Sequence, residues 1–542
     1  MRHKLYSVIL VLFLFIIKIY SQTNTEAWVP DNGDGTYKNP IIHADYSDPD
    51  AIRVGEDYYL IASSFNCIPG LPILHSKNLV NWRIINYALP KLNPAEVYDA
   101  PQHGNGVFAP CLRYHNGMFY IYYPDPDYGV YVITSKDPSA EWSKPILVLP
   151  AIGIIDPTPF WDDDGKAYLT IAWAASRAGV NSLITMFKMN PDGMSVLDAG
   201  KHVYDGHDFD PIVEGPKLYK RKGYYYIFVP AGSVPTGWQL VLRSKNIYGP
   251  YERKVVMDKG NTVINGPHQG AWIDTKTGED WFLHFQDKGA YGRIVHLQPM
   301  VWKNDWPVIG VNKDNDGKGE PVMVYKKPNV GNIYTVSSLQ TTDEFNNDTL
   351  GLQWQWHANQ KVQWYSLMKD RGFLRLMAYP QPKDAINLWS CPNLLLQKFP
   401  APDFTVTTKV SFNIERDVWQ NKKAGLIIMG MDYAYLSIQK NDNVYNVKLV
   451  VCLDAMNGGI EKVIDEKTIN GSEVYMKVNV AQPDAICSFS FSENGKEYTA
   501  IGTPFKAAPG RWIGAKVGLF CNSNFGNKVG GYLDVDWFRV SK

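Results

Sequence analysis

The sequence shows no excess of either charge: Lys plus Arg and Asp plus Glu both number 54. Without a net field, nothing long-range draws in nucleic acid or an anionic membrane. Cysteine is sparse. Cys67, Cys111, Cys391, Cys452, Cys487 and Cys521 are scattered with no Cys-x-x-Cys pair. That pattern argues against a zinc site, a thioredoxin-type redox centre and a disulfide scaffold. An exported chain of this length still has room for one or two bridges. Long apolar runs are missing beyond the extreme N-terminus, so no later segment supplies the ~20 apolar residues a bilayer span needs.

The N-terminus is the exception. Arg2 and Lys4 precede an almost unbroken apolar run from Val8 to Ile17, closed by Lys18 and the polar Ser21-Gln22-Thr23-Asn24. The run is too short for a span and fits a secretory signal over residues 1–22, cut near Ser21 or soon after. It implies export, to a periplasm or the outside, with no membrane contact beyond that segment.

Repetition is what the chain has in quantity. A turn followed by an aromatic, β-prone run occurs at Gly55-Glu56-Asp57-Tyr58-Tyr59-Leu60 and at Asn116-Gly117-Met118-Phe119-Tyr120-Ile121. It recurs at Asp164-Gly165-Lys166-Ala167-Tyr168-Leu169, at Lys222-Gly223-Tyr224-Tyr225-Tyr226-Ile227 and at Gly278-Glu279-Asp280-Trp281-Phe282-Leu283. Successive units are roughly 50 to 60 residues apart, a spacing typical of propeller blades. Each unit is all-β, which favours a five-bladed β-propeller over about residues 35–325. After Lys326 the period disappears, and residues 326–337 read as a linker. From 338 to 542 short alternating strands such as Thr405-Val406-Thr407-Thr408-Lys409-Val410 are separated by turns, the profile of a jelly-roll-like β-sandwich. The fold class is therefore all-β throughout. Trp354, Trp356 and Trp364 have the chemistry of a sugar-stacking face, but sandwich core or propeller interface is the better reading.

Aligning the repeats at Tyr59, Tyr168 and Tyr226 and stepping back about a dozen residues reaches Asp48, Asp156 and Glu214. Each stands beside a chain-bending Pro or Gly. The same step in the second and fifth units lands near Phe108 and Gln269. Equivalent positions of propeller blades are related by rotation about one axis, so these residues converge at one end of it. An acid before proline often only caps a turn. Three acids in register point instead to a site in which carboxylates shift one another's protonation. Asp162-Asp163-Asp164-Gly165 lacks EF-hand spacing and reads as a solvated hairpin turn. His268, in Gly266-Pro267-His268-Gln269-Gly270, lies in register near the axis, where it either lines the pocket or faces an axial cation such as calcium.

Three carboxylates without a metal motif suit hydrolysis of a glycosidic bond. One ionised carboxylate activates water while a protonated carboxyl on the opposite face protonates the leaving oxygen. A third carboxylate close to the acid raises its proton affinity. The longer reach of glutamate suits the donor role. Spacing in sequence leaves inverting and retaining geometry equally open.

Three stretches resemble the signatures of glycoside hydrolase family 43. They are Tyr46-Ser47-Asp48-Pro49-Asp50-Ala51-Ile52-Arg53, Asp156-Pro157-Thr158-Pro159-Phe160 with its acidic turn, and Glu214-Gly215-Pro216-Lys217-Leu218-Tyr219. His268-Gln269-Gly270, Phe282-Leu283-His284-Phe285-Gln286-Asp287, Asp343-Glu344-Phe345 and Trp354-Gln355-Trp356 resemble its β-xylosidase and α-L-arabinofuranosidase branch. The resemblance implies exo-acting, inverting removal of terminal β-D-xylose or α-L-arabinofuranose from xylan, arabinoxylan or related oligosaccharides. It implies Asp48 as general base, Glu214 as general acid and Asp156 as the residue that tunes and orients the acid. It also maps the blade-five residues His268, near an axial calcium or water, and Arg293, near substrate. Phe65, Phe108, Phe160, His268, Gln269 and Arg293 are the candidate substrate-binding residues. No cofactor is required, and calcium would be structural.

The chain departs from that pattern at one place. Where β-xylosidases of the family often carry a large aromatic, it has Phe65-Asn66-Cys67-Ile68-Pro69-Gly70, and this leaves the two pentoses in balance. An endo-acting arabinanase, which needs an open groove, and a carbohydrate-binding propeller without catalysis are the alternatives.

Overall fold

The computed structural model describes residues 26–414, 422–441, 444–524, 526 and 529–542. The signal segment over 1–22 lies outside the described residues. Five four-stranded antiparallel sheets follow one another along the chain, each a meander whose strands pair in sequence order. Blade one is Asp50–Val54, Asp57–Ile61, Gly70–Ser76 and Trp82–Leu89. The innermost strands of the others are Cys111–His115, Ile154–Trp161, Lys217–Arg221 and His268–Asp274.

The repeated aromatics explain the ring. Tyr226 and Phe282, on the second strands of blades four and five, are buried in one cluster between those sheets, and Phe119 and Leu60 occupy comparable places elsewhere. Full burial of such a side chain is worth about 1.5–3 kcal/mol, and each blade has two faces to cover. Thr36–Lys38 pairs with Val324–Lys326, and Ile42 bridges to Val295 of blade five, so the two ends of the propeller hold each other.

The rest of the chain forms two facing sheets of eight and seven strands. Phe404–Ile414 alternates buried and half-buried along its length, as a strand with one face in a core must. Trp354, Trp356 and Trp364 are at most 2% exposed and belong to that core, so they form no sugar-facing surface. The backbone of Trp356 also bridges to Ile68 of the propeller, with Trp356 N donating to Ile68 O at 2.6 Å. All six cysteines are free and buried, so the expected room for a disulfide is not used. The acidic turn is a hairpin whose Asp162 accepts from Lys220 and from Tyr225 Oη.

The sandwich grips the propeller at several loops, among them the one where the Asn359 side chain brackets Leu92 N and O. In the loop after the first two strands of blade one, Asn66 Nδ2 donates to His357 O (2.7 Å), Gln355 Nε2 to Pro69 O (2.9 Å) and Lys516 Nζ to Cys67 Sγ (2.9 Å). Cys67 is thus turned into the domain interface. Another grip is the sandwich segment around 507–515: Ala515 N donates to Ala290 O at 2.7 Å and Gly514 N to Asp45 Oδ2 at 3.1 Å. Gly514 is required there, because a Cβ would stand 2.7 Å from Gly292 N.

Candidate active site

The inner strands all begin at the same end of the axis, and there the chain is bent. Asp48 and Asp156 have φ of 55° and 56°, and Gly215, next to Glu214, has φ of 59°. A left-handed backbone is disfavoured by roughly 1–2 kcal/mol for a residue with a Cβ. Asp156 falls inside a register shift between Ile155 and Thr158, a bulge that turns its side chain toward the axis instead of into the sheet. Asp48, Phe65, Asp156, Ile212, Ser233, Gln269 and Trp512 are seven of the eighteen described non-glycine residues in this conformation, and all seven line one cavity. Such concentration of backbone strain marks a functional site.

The cavity has a volume of about 340 Å³ and contains Asp48, Asp156, Glu214 and Arg293, with walls that include Phe65, Phe108, Trp173 and Trp512. Phe65 and Phe108 meet edge to face at 5.0 Å. Asp48 Oδ2 accepts from Ser47 Oγ and Ser63 Oγ, both at 2.6 Å, and Arg293 Nη1 lies 3.2 Å from Oδ1. Charge-assisted bonds of this kind are the strong ones, and three around one carboxylate fix its orientation. Arg293 is itself held by Ser47 Oγ at 2.7 Å and by the ring of Phe285 at 5.0 Å.

Asp156 is 3% exposed and accepts from Gly215 N at 2.8 Å. Burial, then the neighbouring Glu214 and Asp48 carboxylates, push it up to about 7, against the opposing pull of the Gly215 amide and Lys217. In a pair of interacting carboxyls the proton belongs to the pair, so this corner of the cavity retains one near neutral pH. Lys217, wholly buried, directs Nζ to Pro110 O at 3.4 Å.

Glu214 is fixed by His268, whose Nε2 is 2.8 Å from Oε1. His268 is fully buried behind the glutamate and is not part of the cavity wall. Its other nitrogen, Nδ1, has no partner. These atoms do not fit calcium, which takes six to eight oxygen ligands. One imidazole nitrogen is engaged by Glu214, the other is nitrogen too, and no group of three His, Cys, Asp or Glu suited to a metal occurs among the described residues. Gln269 does line the cavity, with its Nε2 buried and unpartnered.

Phe160 is not brought to the site. Beyond the bulge the strand pairs regularly, with Phe160 opposite Tyr168 and its ring edge-on to Tyr225 at 6.2 Å. Four residues at about 3.3 Å each carry it roughly 13 Å along the strand from Asp156. Asp45, Asp48 and Asp50, close together in the chain, also separate. Asp50, fully buried, ties Leu112 N and Arg113 Nη1 of blade two, at 2.7 and 2.8 Å, and Asp45 ties Arg293 N and the sandwich. Only Asp48 of these three lines the cavity. Ser63 and Trp512 carry no sequence signal: one lies in the loop after the strand that ends at Ile61, the other comes from the second domain.

Comparisons with known proteins follow the same division. The sequence model of Glycosyl hydrolases family 43 matches residues 37–307, and that of the β-xylosidase C-terminal concanavalin A-like domain matches 342–541. A putative β-xylosidase of Xylanibacter ruminicola is 41% identical over 92% of this chain and 88% of its own length. A β-xylosidase of Formosa agariphila is 35% identical over 96% of this chain and 93% of its own. The crystal structure of a family 43 protein from Bacillus licheniformis superposes with a TM-score of 0.79 at 26% identity, over 93% of this chain and 99% of that one.

Proposed function

The chain belongs to Glycosyl hydrolases family 43 and is a glycoside hydrolase; from that premise we propose that it removes single terminal pentose units, β-D-xylose first, from oligosaccharide or polysaccharide chains with inversion. The observation that carries the proposal is the meeting of Asp48, Asp156 and Glu214 in one small cavity whose carboxyls retain a proton near neutral pH.

In the proposed reaction Asp48, oriented by Ser47, Ser63 and Arg293, removes a proton from water as the water attacks the anomeric carbon. Glu214 delivers a proton to the departing glycosidic oxygen from the other face. Asp156 stands behind Glu214, bound to the next residue's amide; the two carboxyls share a proton, and whenever Asp156 is charged that proton is held on Glu214. His268 orients Glu214 through Oε1. The unpartnered Gln269 amide and the Arg293 guanidinium supply donors for sugar hydroxyls, and Phe65, Phe108 and Trp512 supply apolar walls. No cofactor enters these steps. The small cavity of about 340 Å³, walled in part by Trp512 of the sandwich, supports exo over endo action. The relatives' names support xylose over arabinose. Cys67 faces Lys516 in the domain interface and leaves the pentose choice to the other walls.

The test is release of nitrophenol from β-D-xylopyranoside and α-L-arabinofuranoside, with the anomer of the first sugar product followed by NMR. α-Xylose as first product from a β-xyloside supports inversion, and β-xylose refutes it. Export is proposed on the N-terminal apolar run, and the N-terminal sequence of protein recovered outside the cytoplasm tests it.

A further inference from the structure

A small hollow of about 50 Å³ lies where blade one meets the sandwich, and none of its lining residues belongs to the catalytic cavity. One water needs ~10–15 Å³ of such space, so the hollow has room for about four water-sized groups. Tyr46 and Trp82 line it from the propeller, Gln397 and Lys398 from the sandwich. We propose that this hollow is a binding site for a small organic anion, a carboxylate of about the size of acetate, held between the two domains.

Three observations carry it. The first is an ammonium without an anion. Lys398 closes the sandwich strand Leu394–Lys398, and its Nζ lies over the ring of Tyr46 at 5.0 Å. Among the described residues that ring is its one partner, with no hydrogen bond and no carboxylate. Burial pushes Lys398 down to about 8, against the pull of Asp45 and with the push of Lys516. Asp45 is already engaged, since Oδ1 accepts from Arg293 N at 2.8 Å and Oδ2 from Gly514 N at 3.1 Å. Lys516 has no carboxylate either; its Nζ meets Cys67 Sγ at 2.9 Å and Gln355 Oε1 at 3.5 Å. Two lysines thus share one carboxylate in this interface, and a bound anion restores the balance that buried charge requires.

The second is unused hydrogen-bonding capacity in the same wall. Gln397 is 3% exposed, and its Nε2 has no partner. His43, also buried in the lining, leaves Nδ1 unpartnered. Buried polar groups are almost always satisfied, so such a pair beside a lone ammonium calls for an acceptor. A carboxylate has two oxygens and no hydrogen to donate, which suits an ammonium and an amide N–H₂ together.

The third is the character of the remaining wall, to which Trp28 and Trp82 contribute their rings. Both indole N–H groups are spent on backbone carbonyls, Trp28 Nε1 on Pro40 O and Trp82 Nε1 on Leu79 O. What they offer the hollow is therefore apolar surface, which an alkyl group covers and a bare inorganic ion does not. Sulfate or phosphate would also bring more charge than the single free ammonium neutralises.

The test is the melting temperature of the full chain in sodium acetate against sodium chloride, at equal ionic strength and neutral pH. The wild type is expected to gain about 2 °C for each tenfold rise in acetate above its dissociation constant, and chloride should give no such gain. Lys398→Met keeps the reach of the side chain without its charge and should abolish the acetate response. Gln397→Leu should shift the response to about tenfold higher acetate. Reading acetate against chloride within one protein keeps any change in baseline stability out of the comparison. A gain that chloride matches, no gain at all, or a response unchanged in both variants would overturn the site; the last would place the anion elsewhere, the catalytic cavity included.

Discussion

The propeller and the sandwich are both built of antiparallel strands, yet they bury different things. Among the described residues, seven carboxylates are buried on the propeller side (Asp31, Asp45, Asp48, Asp50, Asp125, Asp156 and Asp210), against one, Asp343, in the sandwich. Backbone strain divides the same way. Fourteen of the eighteen left-handed non-glycine residues precede residue 316, and Trp512 is one of only four after it. The reason is geometric. The sandwich has one continuous apolar core between two sheets, whereas the propeller core is divided among blade pairs around an axis that no side chain must fill. A fold with an unfilled axis can hold charged groups there without breaking its packing, and the inner strands of blades three and five each carry a bulge at that end. The sandwich can contribute to chemistry only through its loops, and it does so with one.

The contrast is most sharply tested at Asp48. Asp48→Ala is expected to lower turnover of natural and nitrophenyl substrates alike by about 10²–10⁴-fold, with no loss of thermal stability measured by circular dichroism. A large fall in melting temperature would make the residue part of the scaffold. Glu214→Ala should lose a comparable factor on xylose oligosaccharides but far less on nitrophenyl xyloside, whose leaving group departs without a proton. Equal losses on both would defeat the role assigned to Glu214.

On the other side of the comparison, Trp356→Ala removes a ring from the sandwich core and should destabilise the chain by about 3–5 kcal/mol, read by denaturant titration. A loss of activity without a loss of stability would contradict the division drawn here. Asp156 gives a smaller, pH-dependent effect. Its folded value, about 7, lies above the ordinary 3.8, so the folded state binds the proton more tightly than the unfolded chain does. The stability linked to that proton is present in full below about 4 and is lost as pH rises through 7. Asp156→Asn should therefore raise the melting temperature at pH 8, by about 2–4 °C for each kcal/mol of relieved burial, and leave it nearly unchanged at pH 4. An equal shift at both pH values would show that packing, not ionisation, governs the residue. Smallest of all is the expected response to EDTA, which should leave activity unaltered. Loss that calcium restores would mean that oxygen ligands gather near His268 after all.

Much of this division was legible in the residues. The turn-and-aromatic repeat fixed the blades because each blade solves the same packing problem with the same residue types, and the acids could be aligned because each stands about a dozen residues before its aromatic. Phe160 misled because it follows Asp156 in the chain, and a bulge separates the two in space. Ser63, Lys217 and Trp512 could not be read, since their importance lies in contacts between distant segments and not in any local pattern. His268 was placed near the axis, but its service to Glu214 depends on a hydrogen bond that no spacing reveals.

The sandwich loop that docks through Gly514 has a temporal meaning. A chain emerging from the ribosome carries all three acids well before Trp512 has been synthesised, so a newborn propeller is an open bowl lacking part of its rim. Proteolytic clipping of the second domain would take Trp512 from the cavity wall and leave Asp48, Asp156 and Glu214 on the propeller.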